Sequence, residues 1–221
     1  MRVFLVSVWL MMVANVAHSG AWAREEGQFF IASASNITLF EDIDDAMYYD
    51  PTFYAEYGLT PLVTLGAEYF TTERDTVQTG FVFARIPLGD TTGTDRFAAS
   101  LAFGAEILPF EDPTPLVRGG LSWGRGLDNG WLAVDTSATY NRATELFIPK
   151  ADFTWGHNLT DRWTVMFQLQ TGKTKDDADY RKIETAVVFG VMDGMRITFG
   201  AIQPLNGDDP GALRLGLWQT F

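Results

Sequence analysis

Residues 162–172 read Arg-Trp-Thr-Val-Met-Phe-Gln-Leu-Gln-Thr-Gly, and their alternation decides the fold. Trp163, Val165, Phe167 and Leu169 fall on one parity. Thr164, Met166, Gln168 and Gln170 fall on the other. A repeat of two is the period of an extended strand with unlike faces, because successive side chains point to opposite sides of a sheet. The pattern recurs in both directions. Val63, Leu65, Ala67 and Tyr69 alternate with Thr64, Gly66 and Glu68. Phe97, Leu101 and Phe103 alternate with Ser100, Gly104 and Glu106. Thr185, Val187, Phe189 and Val191 alternate with Glu184 and Gly190, and Leu213, Leu215 and Leu217 with Arg214 and Gly216.

Twelve such runs are expected, at 28–37, 50–57, 62–72, 77–87, 96–107, 115–125, 130–140, 145–157, 162–172, 180–191, 195–203 and 211–221, with ten a possible smaller count. Most approach the ~9–11 residues that a tilted strand needs to cross a bilayer. Tight, turn-forming links such as 58–61, 127–130, 158–161 and 192–194, with 90–95 slightly longer, carry Asn-Gly and Asp-Gly pairs that tolerate positive φ. They alternate with the longer, mostly acidic links 38–48, 109–114, 173–179 and 203–211. Short turns at one end and longer loops at the other are the asymmetry of an outer-membrane barrel.

Alternation alone also fits a soluble barrel or sandwich. The polar parity argues for the membrane: it is crowded with small residues (Gly66, Gly80, Ser100, Gly104, Gly120, Ser122, Gly124, Ser137, Gly200, Gly216), as a concave interior requires. The other parity carries Phe, Trp, Leu and Val with few charges, as a lipid-facing band must. Trp123, Trp155, Trp163, Tyr57 and Tyr69 are placed for interfacial girdles. The fold class is therefore all-β, an antiparallel up-and-down transmembrane barrel.

The N-terminus has its own pattern. Met1 and Arg2 precede an apolar run, 3–16, and the small-x-small triplet Ala21-Trp22-Ala23 follows. This is the build of a secretory signal peptide, with cleavage expected after Ala23. The apolar run is shorter than the ~20 residues of a membrane-spanning helix. The expected organisation is a signal peptide over 1–23 and one barrel domain over 24–221.

Composition bounds the function. The 221 residues hold 47% hydrophobic and 20% charged residues, no cysteine, and 16 basic against 28 acidic side chains for a net charge of −12. Thiol chemistry and Cys-based metal sites are absent, and nucleic acid is not a partner for so acidic a chain. The mean hydropathy of −0.00 is what two opposed faces average to.

Taking the small, polar parity as inward, the lumen receives Glu56, Glu68, Glu106, Asp135, Asp152 and Glu184 together with Arg118, Lys150, Lys182, Arg196 and Arg214. Seven of these, Glu68, Arg118, Asp135, Lys150, Asp152, Glu184 and Arg214, are expected in one broad zone near mid-height. They form either a constriction that selects by mixed charge or a set of buried ion pairs that closes the lumen.

Catalysis is not expected. His157 is the one histidine beyond the signal peptide, and it sits beside a predicted periplasmic turn without a Gly-x-Ser-x-Gly elbow. A carboxylate pair such as Asp135 with Asp152 is the remaining acid–base candidate. No cofactor is expected. The acidic loop Glu41, Asp42, Asp44 and Asp45 is a weak calcium candidate without EF-hand spacing, and reads better as a solvated loop or one bridged to lipopolysaccharide by divalent ions.

The terminal Phe221, after Leu213, Leu215 and Leu217, resembles the C-terminal signature by which Gram-negative outer-membrane barrels are recognised for insertion; Gln219 stands where such proteins usually carry an aromatic. The segments Glu56-Tyr57-Gly58-Leu59-Thr60-Pro61 and Gly156-His157-Asn158-Leu159-Thr160-Asp161-Arg162-Trp163 resemble the periplasmic turns of the barrel family associated with meta-pathway phenol degradation. The resemblances imply an outer-membrane location, partners in membrane lipid, lipopolysaccharide and the barrel-assembly machinery, and a transport role. The expected function is a narrow passive channel for small polar or weakly charged solutes. The alternatives are a closed structural or adhesion barrel acting through acidic loops and, remotely, an outer-membrane hydrolase.

Overall fold

The computed structural model describes residues 20–38, 49–72, 76–174, 177–207 and 211–221. Within them the chain forms twelve strands: β1 (Phe29–Thr38), β2 (Tyr49–Thr60), β3 (Val63–Thr72), β4 (Val77–Pro87), β5 (Asp95–Ile107), β6 (Thr114–Leu127), β7 (Gly130–Asn141), β8 (Leu146–Asn158), β9 (Trp163–Lys173), β10 (Asp179–Met192), β11 (Met195–Pro204) and β12 (Ala212–Thr220). Each pairs antiparallel with its sequence neighbours, and β1 pairs with β12 to close the barrel. The seam is finished by reciprocal backbone bonds between Phe29 and Phe221, 2.8 and 3.1 Å long, so no edge is left at that end. The expected count of twelve holds, with bounds within three residues of those read from alternation.

The start of β1, the end of β12 and the links at 61–62, 88–94, 128–129, 159–162 and 193–194 share one end, called here the terminal end. Gly194 turns there with φ at 74°, a conformation a side chain rarely adopts. The opposite end is less uniform than expected, since β7 and β8 are joined by only four residues, 142–145. The acidic stretch 41–45 lies outside the described residues.

The outward parity carries the lipid-facing set: Val82, Leu101, Phe103, Leu121, Phe153, Phe167, Phe199 and Leu215 are all exposed. Trp123, Trp155, Trp163 and Tyr57 share this face near the terminal end, and Tyr69 near the opposite end. Trp123 Nε1 donates to Asp95 Oδ1 at 3.0 Å, which gives the indole a polar anchor. His157 stacks on Trp155 at 5.7 Å, beside the 159–162 turn.

One strand corrects the expected facing. Gly80 lies on the outward face of β4, opposite Tyr69 and Ala105. Phe81, Phe83 and Arg85 point into the barrel and are buried. Hydropathy could not decide this strand, because both parities are largely apolar. Arg85 decides it: a guanidinium cannot face hydrocarbon cheaply, and Phe81 and Phe83 share its parity.

Small inward residues and large inward rings are matched. Phe83 faces Gly66, Phe81 faces Gly104 and Trp131 faces Gly156, each as direct cross-strand partners. A Cβ on any of these glycines would collide with the ring opposite. Gly66 and Gly104, which read in sequence as lumen space, are thus seating for aromatic rings.

Candidate lumen site

Two tiers of inward charge are separated along the barrel axis. The tier nearer the terminal end centres on Glu56, whose side chain is 1% exposed. Arg24 Nε lies 2.5 Å from Glu56 Oε2, Arg85 pairs with Glu56 Oε1, and Tyr54 Oη donates to the same oxygen at 2.5 Å. Arg85 Nη2 also donates to Tyr54 Oη at 2.9 Å. Buried charges survive only when paired and hydrogen-bonded, and this carboxylate has partners on both oxygens. The cations lie over rings as well: Arg24 is 4.3 Å from the Phe30 centroid and Arg85 5.3 Å from Phe83.

Arg24 reaches this tier because the segment before β1 turns back into the barrel. Gln28 N donates to Glu25 O at 3.0 Å and Gly27 takes φ of 82°, giving a tight reversal. Gly27 N then donates to Gly58 O, and Gly58 N to Gln28 O. Arg24 N donates to Thr64 Oγ1 at 3.0 Å. Further in, Trp22 packs on buried Trp131 and Ala133 and lies against Gly124, where a Cβ would meet its ring. Gly20 N donates to Asp135 Oδ1 at 3.0 Å. Residues 20–24 therefore occupy the terminal half of the lumen, and 25–28 form the turn at its rim.

The second tier lies nearer mid-height. Arg118 of β6 reaches across β5 and β4 to Glu68 of β3, with Nη1 2.5 Å from Oε1, and lies 4.2 Å over the Phe81 ring. Arg214 of β12 reaches past β11 to Glu184 of β10 at 3.7 Å, and its Nη2 also donates to Thr52 of β2 at 3.5 Å. Lys150 and Asp152 pair at 2.8 Å within β8. Gln168 and Gln170 continue the polar wall, the latter donating to the former at 2.5 Å. Lys182 lies 5.8 Å over the Tyr180 ring and has no ion-pair partner among the described residues.

Of the seven residues expected in one zone, six form three ion pairs in this tier. Asp135 departs from them and serves the N-terminal segment instead. Asp135 and Asp152 are direct cross-strand partners of β7 and β8, but each has its own donors, Gly20 N and the Ser122 hydroxyl for one and Lys150 for the other. Glu106, Lys182 and Arg196 keep the inward parity expected of them. Arg24, Arg85 and Arg96 were missing from the expected lumen. Arg85 and Arg96 could have been found by asking which parity of their strands carries a charge. Nothing in the alternation could place Arg24, which precedes the first strand. Among the described residues no cluster of His, Cys, Asp and Glu could hold a metal.

No family model matches the sequence, and no curated protein matches it. Solved structures do resemble it. The KdgM porin in complex with disordered oligogalacturonate superposes with a TM-score of 0.64 at 10% identity, over 87% of this chain and 99% of the other. The COG4313 outer membrane channel from Pseudomonas putida F1 gives 0.64 at 10% identity, over 94% of this chain and all of the other. The Acinetobacter baumannii outer membrane protein Omp33 gives 0.53 at 10% identity, over 92% and 100%. At such identities the likeness is one of fold: the closed, monomer-sized barrel of outer-membrane proteins.

Proposed function

We propose that this chain is an outer-membrane channel that gives small polar or weakly charged solutes a narrow passive path. The observation that carries the reading is the mid-height tier, Arg118–Glu68, Lys150–Asp152 and Arg214–Glu184. Charges of both signs project from β3, β6, β8, β10 and β12 into one zone, so a solute meets paired attraction from several walls rather than a field of one sign. The likeness to porins and channels, and the resemblance of 56–61 and 156–163 to the turns of the phenol-degradation barrel family, support transport. In this reading the terminal end is periplasmic, the outward face meets lipid, the loops at the other end meet lipopolysaccharide, and Leu213, Leu215, Leu217 and Phe221 present the insertion signature to the assembly machinery. Phe221 is exposed, with its ring 6.3 Å from Phe29 at the seam. His157 faces outward beside a turn, away from the lumen carboxylates, so no acid–base pair is assigned.

The occupation of the terminal half by residues 20–24 favours one rival, a closed barrel with a structural or adhesive role. Planar-bilayer recording separates the two. Stepwise openings whose size increases in Arg118→Ala and Arg214→Ala are expected. A heat-modifiable, correctly inserted barrel that never conducts overturns the channel.

A further inference from the structure

We propose that the signal peptide is cut between Ser19 and Gly20, and that the new α-ammonium of Gly20 is clamped inside the barrel by Asp135. Hydrolysis of that peptide bond consumes one water and leaves a carboxylate on Ser19 and an ammonium on Gly20. Ala17-His18-Ser19 satisfies the small-x-small rule as well as Ala21-Trp22-Ala23 does, so the rule alone does not choose between them, and the residues that the folded barrel seats report which cut was made.

Three observations favour the earlier cut. The first is packing. Ala21 is 1% exposed, and Trp22 fills the space over Gly124 beside Trp131. A cut after Ala23 removes both and leaves an apolar recess in the lumen wall. The second is fit at Gly20: a side chain there would collide with Ser122 Oγ and Asp135 Oδ1, so the residue that approaches the carboxylate is one without a Cβ.

The third is charge. Asp135 forms no ion pair with a side chain among the described residues, and its cross-strand partner is a second carboxylate, Asp152. Like charges directly opposed destabilise a sheet. Lys150 neutralises Asp152, and an ammonium at Gly20, whose nitrogen lies 3.0 Å from Asp135 Oδ1, neutralises the other. The alternative terminus is unfavourable. Arg24 N faces the Thr64 hydroxyl, in a buried tier where two guanidiniums already share one carboxylate; a third positive charge there has no counterion. The mature chain therefore carries its own N-terminus as a plug, held at its tip by Gly20–Asp135 and at its waist by Arg24–Glu56.

The test is the intact mass of protein expressed from the full reading frame and extracted from outer membranes. A chain beginning at Gly20 is expected; one beginning at Arg24 overturns the proposal. Ser19→Leu is expected to block this cut, whereas Ala23→Leu leaves the terminus at Gly20. A second readout is labelling of the α-amine by an amine-reactive reagent at neutral pH. Asp135→Asn should speed labelling by roughly tenfold or more, because the ammonium loses its partner, while Asp135→Glu retains protection. Equal labelling of wild type and Asp135→Asn overturns the clamp. None of these readings depends on conductance, so their failure and that of the channel reading are distinguishable.

Discussion

Phe83 lies against Gly66, its direct partner across the β3–β4 ladder, and the ring occupies the volume a Cβ on Gly66 would need. Its other face stacks on Tyr54 at 5.7 Å and 28°. The same relation joins Phe81 to Gly104 and Trp131 to Gly156. Laid flat on a glycine, a ring thickens the wall without crossing the lumen. This is how a twelve-stranded barrel with large rings such as Phe81, Phe83 and Trp131 in its interior keeps its charged groups facing one another.

Gly66→Leu should therefore be costly although glycine is a poor strand former. The added side chain has to displace Phe83 from Tyr54, an overpacking penalty of about 1–3 kcal/mol. The expected result is a lower urea midpoint for unfolding from lipid vesicles. The double variant Gly66→Leu with Phe83→Ala should recover most of the loss, because the ring that clashes is gone. An undiminished midpoint in Gly66→Leu alone would contradict the seating.

Glu56→Gln should be among the most damaging single changes. It keeps shape but leaves Arg24 and Arg85 buried against a neutral amide. Breaking a buried pair from one side costs about 3–5 kcal/mol. The unfolding midpoint is expected to fall, and bonds after Arg24 should become open to trypsin as the segment before β1 loosens. Replacing Glu25 or Glu26, which are exposed, should change neither reading.

The Arg118–Glu68 pair makes a prediction about ion preference, with the sign set by which partner stays. Arg118→Ala leaves a carboxylate and shifts preference toward cations. Glu68→Ala leaves a guanidinium and shifts it toward anions. At ~8–10 Å in a water-filled lumen a unit charge is worth about 0.5 kcal/mol, so each shift is roughly twofold. Reversal potentials under a salt gradient read it directly. The double variant should return near the starting preference with a larger conductance.

How far the sequence reveals this molecule depends on which residues are asked. The strands were legible because lipid forces one parity to be apolar wherever the other is polar, as in 163–170 and 213–217. The strand β4 resisted, since Phe81 and Phe83 are apolar yet inward, and only Arg85 reports the true facing. Six of the seven expected lumen charges were legible as a zone because strand direction and parity together fix height and side. The pairing was not, since Arg118 and Glu68 are joined across two intervening strands, a contact that no local pattern records. Arg24 and Trp22 were invisible for a different reason: they lie in a non-strand segment whose position is set by the seats at Gly124 and Glu56.

The facing of β4 can be settled by arginine substitutions on a single parity. Val82 lies at the middle of the strand on the outward face, and Ile86 lies on the same face one residue from its end; both are exposed. An arginine facing lipid costs about 2–4 kcal/mol at the bilayer midplane and about 0–1 near the interface. Val82→Arg should therefore lower folding stability in lipid vesicles by that larger amount, and Ile86→Arg by little, because its side chain reaches the headgroups. Had Gly80 and Val82 faced the lumen, Val82→Arg would sit in water beside carboxylates and the depth dependence would vanish. Equal, small effects at both positions would refute the facing and with it the inward placement of Phe81, Phe83 and Arg85.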